Sequence, residues 1–80
     1  MRILLADDKL DVRLGLKVIL EQEFGDIIAG EASGLSEMLV KVQKIQPDIL
    51  LVDWELSNIS IAELIPALRG LCPGLKIIAL

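Results

Sequence analysis

Three carboxylates stand out in this 80-residue chain because of what precedes them. Asp7 and Asp8 follow the apolar run Arg2 to Ala6, and Asp53 follows a second run, Asp48 to Val52. A short apolar segment that stops at an acid reads as a buried parallel strand emerging at its C-terminal end. If the two strands are neighbours, the three carboxylates meet. Such a cluster persists at neutral pH by binding a hard cation or by taking up a proton. Oxygen ligands favour Mg²⁺ or Mn²⁺ over zinc, and Mg²⁺ held by one or two carboxylates keeps room for waters and a phosphate oxygen. Asp53, at the end of the more continuously apolar strand, is the candidate nucleophile, able to form an acyl phosphate. Asp7 and Asp8 are then the metal holders, and the backbone carbonyl of Glu55 is within reach as a further ligand. Trp54, the only Trp, is expected at the rim of the site, where its indole N–H stays hydrated.

The elements that must position these groups follow from hydrophobic spacing. Strand 1 is read at Arg2 to Ala6 and helix 1 at Lys9 to Glu23. Val12, Leu16, Ile19 and Leu20 form the buried stripe of that helix, Asp8 its cap, and Gly15 a point of close approach to the sheet. Leu10, Leu14 and Val18 make a second apolar row, more than one buried face requires. Gly25 stops the helix, and Asp26 to Glu31 forms strand 2. Helix 2 carries Leu35, Met38, Leu39, Val42 and Ile45 at spacings of three and four, with Glu37 and Lys41 as an i, i+4 pair. Pro47 ends it, and Asp48 to Val52 is strand 3, the centre of the sheet. Leu56 to Ile59 is a loop. Ser60 and Glu63 form a capping box for helix 3, whose inner face is Ile61, Leu64, Ile65 and Leu68 and which Pro66 should kink or delay. Leu75 to Leu80 is strand 4. Alternation of strands and helices implies an α/β fold with a parallel sheet, and the doubly wound order 2-1-3-4 places strands 1 and 3 side by side at the switch point.

Composition removes other classes. A net charge of −4 and the absence of His leave neither a basic surface for nucleic acid nor an imidazole for catalysis. No run approaches the roughly 20 apolar residues of a membrane span. The first apolar run is broken by Asp7 and Asp8 too early for a signal peptide. One Cys, Cys72, suits a reducing cytoplasmic compartment and reads as a small buried hydrophobe. Asp26 and Asp48, at strand starts, read as solvated turn residues on the opposite edge. Asp53-Trp54-Glu55 is not the D-x-D of aspartate-nucleophile phosphatases, and no Gly-rich phosphate loop follows strand 1. A small enzyme or cofactor binder is therefore disfavoured.

LLADD after an N-terminal Met and PDILLVDWEL about 40 residues on resemble the receiver domains of two-component response regulators, in particular those that precede a helix-turn-helix output domain. The resemblance runs through the whole chain. It implies a flavodoxin-like, three-layer α/β/α fold, a cytoplasmic signalling domain rather than an enzyme, and a histidine kinase as phosphoryl donor to Asp53. It also implies Mg²⁺ held by Asp7, Asp8, Asp53 and the Glu55 carbonyl. Family members usually carry Pro and Gly where this chain has Ser57 and Ile61. Leu80 falls where the family supplies a Ser or Thr, and the Lys of a fifth strand lies beyond it, so residues 1–80 are expected to be a partial, truncated receiver. An apolar strand 4 edge and a half-bare sheet face under helix 1 would follow, and with them a homo-oligomer. The competing expectation is a degenerate pseudo-receiver that serves as a dimerisation or protein-interaction module.

Overall fold

The computed structural model describes residues 1–58 and 60–80. Four strands, β1 (Ile3–Ala6), β2 (Ile28–Ala32), β3 (Ile49–Val52) and β4 (Lys76–Ala79), form one parallel sheet in the order β2-β1-β3-β4. Three α-helices intervene, α1 (Leu10–Phe24), α2 (Leu35–Ile45) and α3 (Ile61–Leu71), with a short 3₁₀ turn at Leu56–Asn58. The order and the element sequence are those expected from the alternating pattern. Ile59, the last residue of the expected loop, lies outside the described residues.

The strand period of two divides the sheet into unlike faces. Leu4, Ala6, Leu50 and Val52 point into a core with Met38 and Val42 of α2 and Ile61 and Leu68 of α3, all essentially inaccessible. Leu35, Leu39, Ile45 and Leu64 close its margin, so the α2 stripe is the expected one. On α3, Ile65 is 37% exposed; the helix seats on Ile61 and Leu68, and Ile65 falls at its edge. Pro66 neither delays nor interrupts α3, which runs unbroken from Ile61 to Leu71.

The opposite face carries Ile3, Leu5, Ile49, Leu51 and Ile78, with α1 laid across part of it. No residue of α1 is fully buried. Its inner stripe is Arg13, Leu16, Lys17 and Leu20, which with Glu21 are the positions of intermediate burial, whereas Val12 and Ile19 are exposed. The helix is rotated because Glu31, on the edge strand β2, faces it. Arg13 Nε and Lys17 Nζ reach the Glu31 carboxylate at 3.3 and 3.7 Å, so a polar pair occupies ground that hydrophobic spacing alone assigns to Val12 and Ile19. Gly15 has no neighbour within 4 Å of a built Cβ; it faces solvent, not the sheet.

Ends differ in detail. Strand β2 starts and ends later than the Asp26–Glu31 expectation; its later end follows from a register shift against β1 between Ile3 and Leu4, which inserts a residue and carries the pairing to Ala6↔Ala32. Gly25 stops α1 at φ +80 and donates its N–H to the Glu21 carbonyl. Gln46 precedes Pro47, which disfavours the right-handed helical region, and it ends α2 at φ 51. Its side-chain Nε2 donates to the carbonyls of Gln43 and, across the gap, Leu71 at 3.0 and 2.8 Å. The capping box is not made: Ser60 precedes α3 with no side-chain cap, and Glu63 N–H bonds the Ser60 carbonyl instead.

Candidate functional site

The last registered pair of β1 and β3 is Ala6↔Val52, so the next residue of each strand, Asp7 and Asp53, leaves the sheet beside the other. Two ladder bonds extend past the strands to fix them: Asp53 N–H donates to the Ala6 carbonyl at 2.9 Å and Asp7 N–H to the Ala32 carbonyl at 3.0 Å. One carboxylate oxygen from each of Asp7, Asp8 and Asp53 lies within 4.8 Å of the others. The convergence expected from the two apolar runs is therefore present, at the carboxyl ends of adjacent strands where open α/β sheets receive ligands.

The three acids are held differently. Asp7 is 6% exposed; its Oδ1 accepts the Lys9 N–H at 2.8 Å, and its backbone carbonyl accepts Arg13 Nη1 at 2.6 Å. Asp8 is open to solvent. It does not cap α1: Lys9 occupies the cap position without a side-chain bond, because the bond that fixes this turn comes from Asp7. Asp53, with a side chain 15% exposed, accepts the Glu55 N–H on Oδ1 at 3.1 Å and the Lys9 ammonium on Oδ2 at 3.0 Å.

Lys9, which spacing arguments did not single out, thus sits among the acids, 3.0 Å from Asp53 and 3.4 Å from Asp8. Only its position directly after the doublet could have signalled it. The hydrogen bond to Asp53, the charge of Asp53 and then that of Asp8 push the Lys9 ammonium up to about 12. In turn the Glu55 N–H, followed by the Lys9 ammonium, holds the Asp53 carboxyl below the usual carboxylate range. Asp53 is consequently ionised at neutral pH and requires no base to act as a nucleophile.

The donor set fits a small hard cation. Oxygens around Mg²⁺ at about 2.1 Å stand roughly 3 to 4 Å apart in an octahedron. Oxygens spread over as much as 4.8 Å would have to close by roughly 1 to 2 Å to reach that spacing. The Glu55 carbonyl already accepts the Asn58 N–H at 3.1 Å and retains a second lone pair. Trp54 is 52% exposed beside Asp53, as expected of a rim residue, and its backbone N–H donates to the Leu80 carbonyl at 3.0 Å. Asp26 is exposed, but Asp48 is more than a solvated turn residue: its Oδ2 accepts the Arg2 N–H at 2.8 Å, tying the starts of β1 and β3 together.

The loop after Asp53 explains one departure from the resembled pattern. Ser57 stands at φ 55 and Asn58 at φ 59, a region that proline, locked near φ −65°, cannot enter. Ser57 Oγ instead accepts the Leu35 N–H at 3.3 Å, joining the loop to the start of α2.

A family model described as the response regulator receiver domain matches residues 3–80. Among curated relatives, the transcriptional activator protein ExaE of Pseudomonas putida is 35% identical over 78 residues, covering 98% of this chain and 36% of that protein. The response regulator GacA of Pseudomonas viridiflava is 30% identical over 79 residues, covering 99% and 37%. The transcriptional regulatory protein BtsR of Escherichia coli K12 is 32% identical over 65 residues, covering 81% and 27%. The chain thus spans 27% to 37% of the length of these relatives. The structure of RcsB from Salmonella enterica serovar Typhimurium, bound to promoter rprA in the presence of phosphomimetic BeF₃⁻, superposes with a TM-score of 0.84 at 24% identity. It covers 99% of this chain and 67% of that one, and speaks for the fold.

Proposed function

The chain belongs to the family of response regulator receiver domains, signalling modules of two-component systems, and on that premise we propose that Asp53 is its phosphoacceptor. Residues 1–80 are read as part of a receiver whose phosphoryl donor is a histidine kinase. The observation that carries this is the meeting of Asp7, Asp8 and Asp53 within 4.8 Å at the ends of two neighbouring strands. Asp53 Oδ1 is tied to the Glu55 backbone N–H, whereas the partner of Oδ2 is only the exposed ammonium of Lys9, so Oδ2 is the oxygen that attacks phosphorus once that ammonium swings aside. As the Oδ2–P bond forms, the bond from phosphorus to the donor breaks, and the electron pair leaves with the donor's imidazole or, from acetyl phosphate, with acetate. Asp7, Asp8, Asp53 and the Glu55 carbonyl would hold Mg²⁺ or Mn²⁺. When bound, the ion offsets negative charge on the transferring group.

Incubation with acetyl phosphate and Mg²⁺, followed by intact mass, tests the assignment. The expected result is a gain of one phosphoryl group that is lost on hydroxylamine treatment and absent from Asp53→Asn. A gain that survives in Asp53→Asn would remove Asp53 from this role.

A second reading, a homo-oligomer that serves as an interaction module, is favoured by the apolar groove between α1 and the sheet. Met1, Ile3, Leu20, Phe24, Ile49 and Ile78 line it without a polar atom. Leu10, Leu14 and Val18 are about half exposed on α1 alongside. A second copy covering this face would sediment as a dimer at tens of micromolar, and Phe24→Glu would return it to monomer. A net charge of −4 argues against direct nucleic-acid binding by these residues. No helix is long and apolar enough to cross a membrane among the described residues, and a cytoplasmic location accords with the family.

A further inference from the structure

We propose that Lys9 is a tethered counter-ion of the acidic site, which an incoming divalent cation must displace, so that this one side chain sets how weakly the site holds its metal. The inference rests on the metal-site reading given above and concerns a residue that reading does not use. Lys9 Nζ lies 3.0 Å from Asp53 Oδ2 and 3.4 Å from Asp8 Oδ1, so a single positive charge answers two of the three converging carboxylates. Its backbone N–H meanwhile binds the third, Asp7, at 2.8 Å. One residue therefore touches all three acids.

The position follows from chain geometry. Lys9 precedes the first helical residue, Leu10, with extended backbone angles of φ −96 and ψ 110, which turn its side chain back over the strand ends. No other cationic side chain is paired with these acids among the described residues: Arg13 and Lys17 are drawn to Glu31, and Lys41 to Glu37.

The Lys9 side chain is 58% exposed, so it can swing into water without opening the core. Cation binding is then an exchange in which two ammonium contacts are given up as ligand bonds form. The lysine lowers metal affinity by the strength of those contacts. It also relieves repulsion among the acids while the metal is absent, so its two effects have opposite signs.

That opposition supplies the test. Mg²⁺ is titrated into the wild-type protein, Lys9→Met and Lys9→Arg, following Trp54 emission, and melting temperatures are recorded in EDTA and in saturating Mg²⁺. For exposed charges at these separations, Lys9→Met should tighten Mg²⁺ binding by roughly three- to tenfold. The same variant should melt lower than wild type in EDTA and gain more from Mg²⁺, while Lys9→Arg, which keeps the charge, stays close to wild type. Equal affinities in wild type and Lys9→Met, both clearly binding Mg²⁺, overturn the role of Lys9 and leave the metal site intact. The absence of any Mg²⁺ response in emission or melting for all three proteins overturns the metal-site reading and this inference together.

Discussion

Leu50 and Leu51 are adjacent on the central strand and point to opposite faces, so truncating each in turn measures how unequal those faces are. Leu50 is fully buried. Its neighbours in register are Leu4 on β1 and Ile77 on β4, and it belongs to the cluster containing Met38, Val42 and Leu68. Leu→Ala at a buried site costs about 2–5 kcal/mol, most where the surroundings cannot collapse into the cavity. Strands on both sides and helices above restrict collapse here, so the expected loss is about 3–4 kcal/mol. Leu51 instead lines the open groove with Ile3, Leu20 and Ile78, and losing partly wetted methyl groups costs only about 1 kcal/mol. A chain of 80 residues has a total stability of roughly 4–12 kcal/mol. Leu50→Ala alone therefore removes about a quarter or more of it. The assay is urea unfolding followed by far-ultraviolet circular dichroism at low micromolar protein. Losses equal within about 0.5 kcal/mol would refute the argument. A loss for Leu51→Ala that grows with protein concentration would instead locate a second copy on the open face.

Three further outcomes follow from particular contacts. Asp53 has its carboxyl pKa lowered on folding, so it adds stability that is present above the ordinary carboxylate value near about 3.9 and disappears as pH falls through the lowered folded value. In EDTA, the melting temperature of Asp53→Asn should therefore lie below wild type at neutral pH and converge with it in acid; a gap that persists at the lowest pH would contradict the sign. Cys72, 5% exposed with its thiol donating to the Pro47 carbonyl at 3.5 Å, should react with a thiol reagent only as fast as the domain opens, and labelling within seconds of mixing in native buffer would show it accessible. Ser57→Pro, which restores the residue usual in the family, should destabilise by roughly 1–3 kcal/mol because proline cannot occupy φ 55; an unchanged urea midpoint would mean that the loop accepts another backbone.

What hydrophobic spacing could reach was the sheet and its mouth. Runs of apolar residues ending in acid identify β1 and β3, and adjacency at the switch point brings Asp7, Asp8 and Asp53 together with no further information. The α2 stripe was equally legible, because Met38 and Val42 have no polar competitor for the core. The face of α1 was not: Glu31 on β2 draws Arg13 and Lys17 inward, and a pairing between residues so far apart in the chain leaves no periodic trace. Caps were misread for a related reason. Asp8 and Ser60 have suitable side chains, but whether such a group bonds an end or faces elsewhere depends on neighbours set by the tertiary fold. Lys9 escaped notice because a lysine at a helix start reads as solvated surface until Asp53 arrives from another strand.

The unequal anchoring of the acidic doublet has an entropic consequence. Asp7 is tied at its N–H, its carbonyl and its carboxylate, whereas among the described residues the Asp8 carboxylate meets only the exposed ammonium of Lys9. Rotamer freedom forfeited on ordering a side chain runs up to about 2 kcal/mol, and for Asp7 folding has already extracted that loss. Whatever gathers these oxygens therefore finds one preorganised partner and has only the other left to immobilise. Were an ion to bind there, adjustment to its radius within the doublet would fall to Asp8 rather than to Asp7.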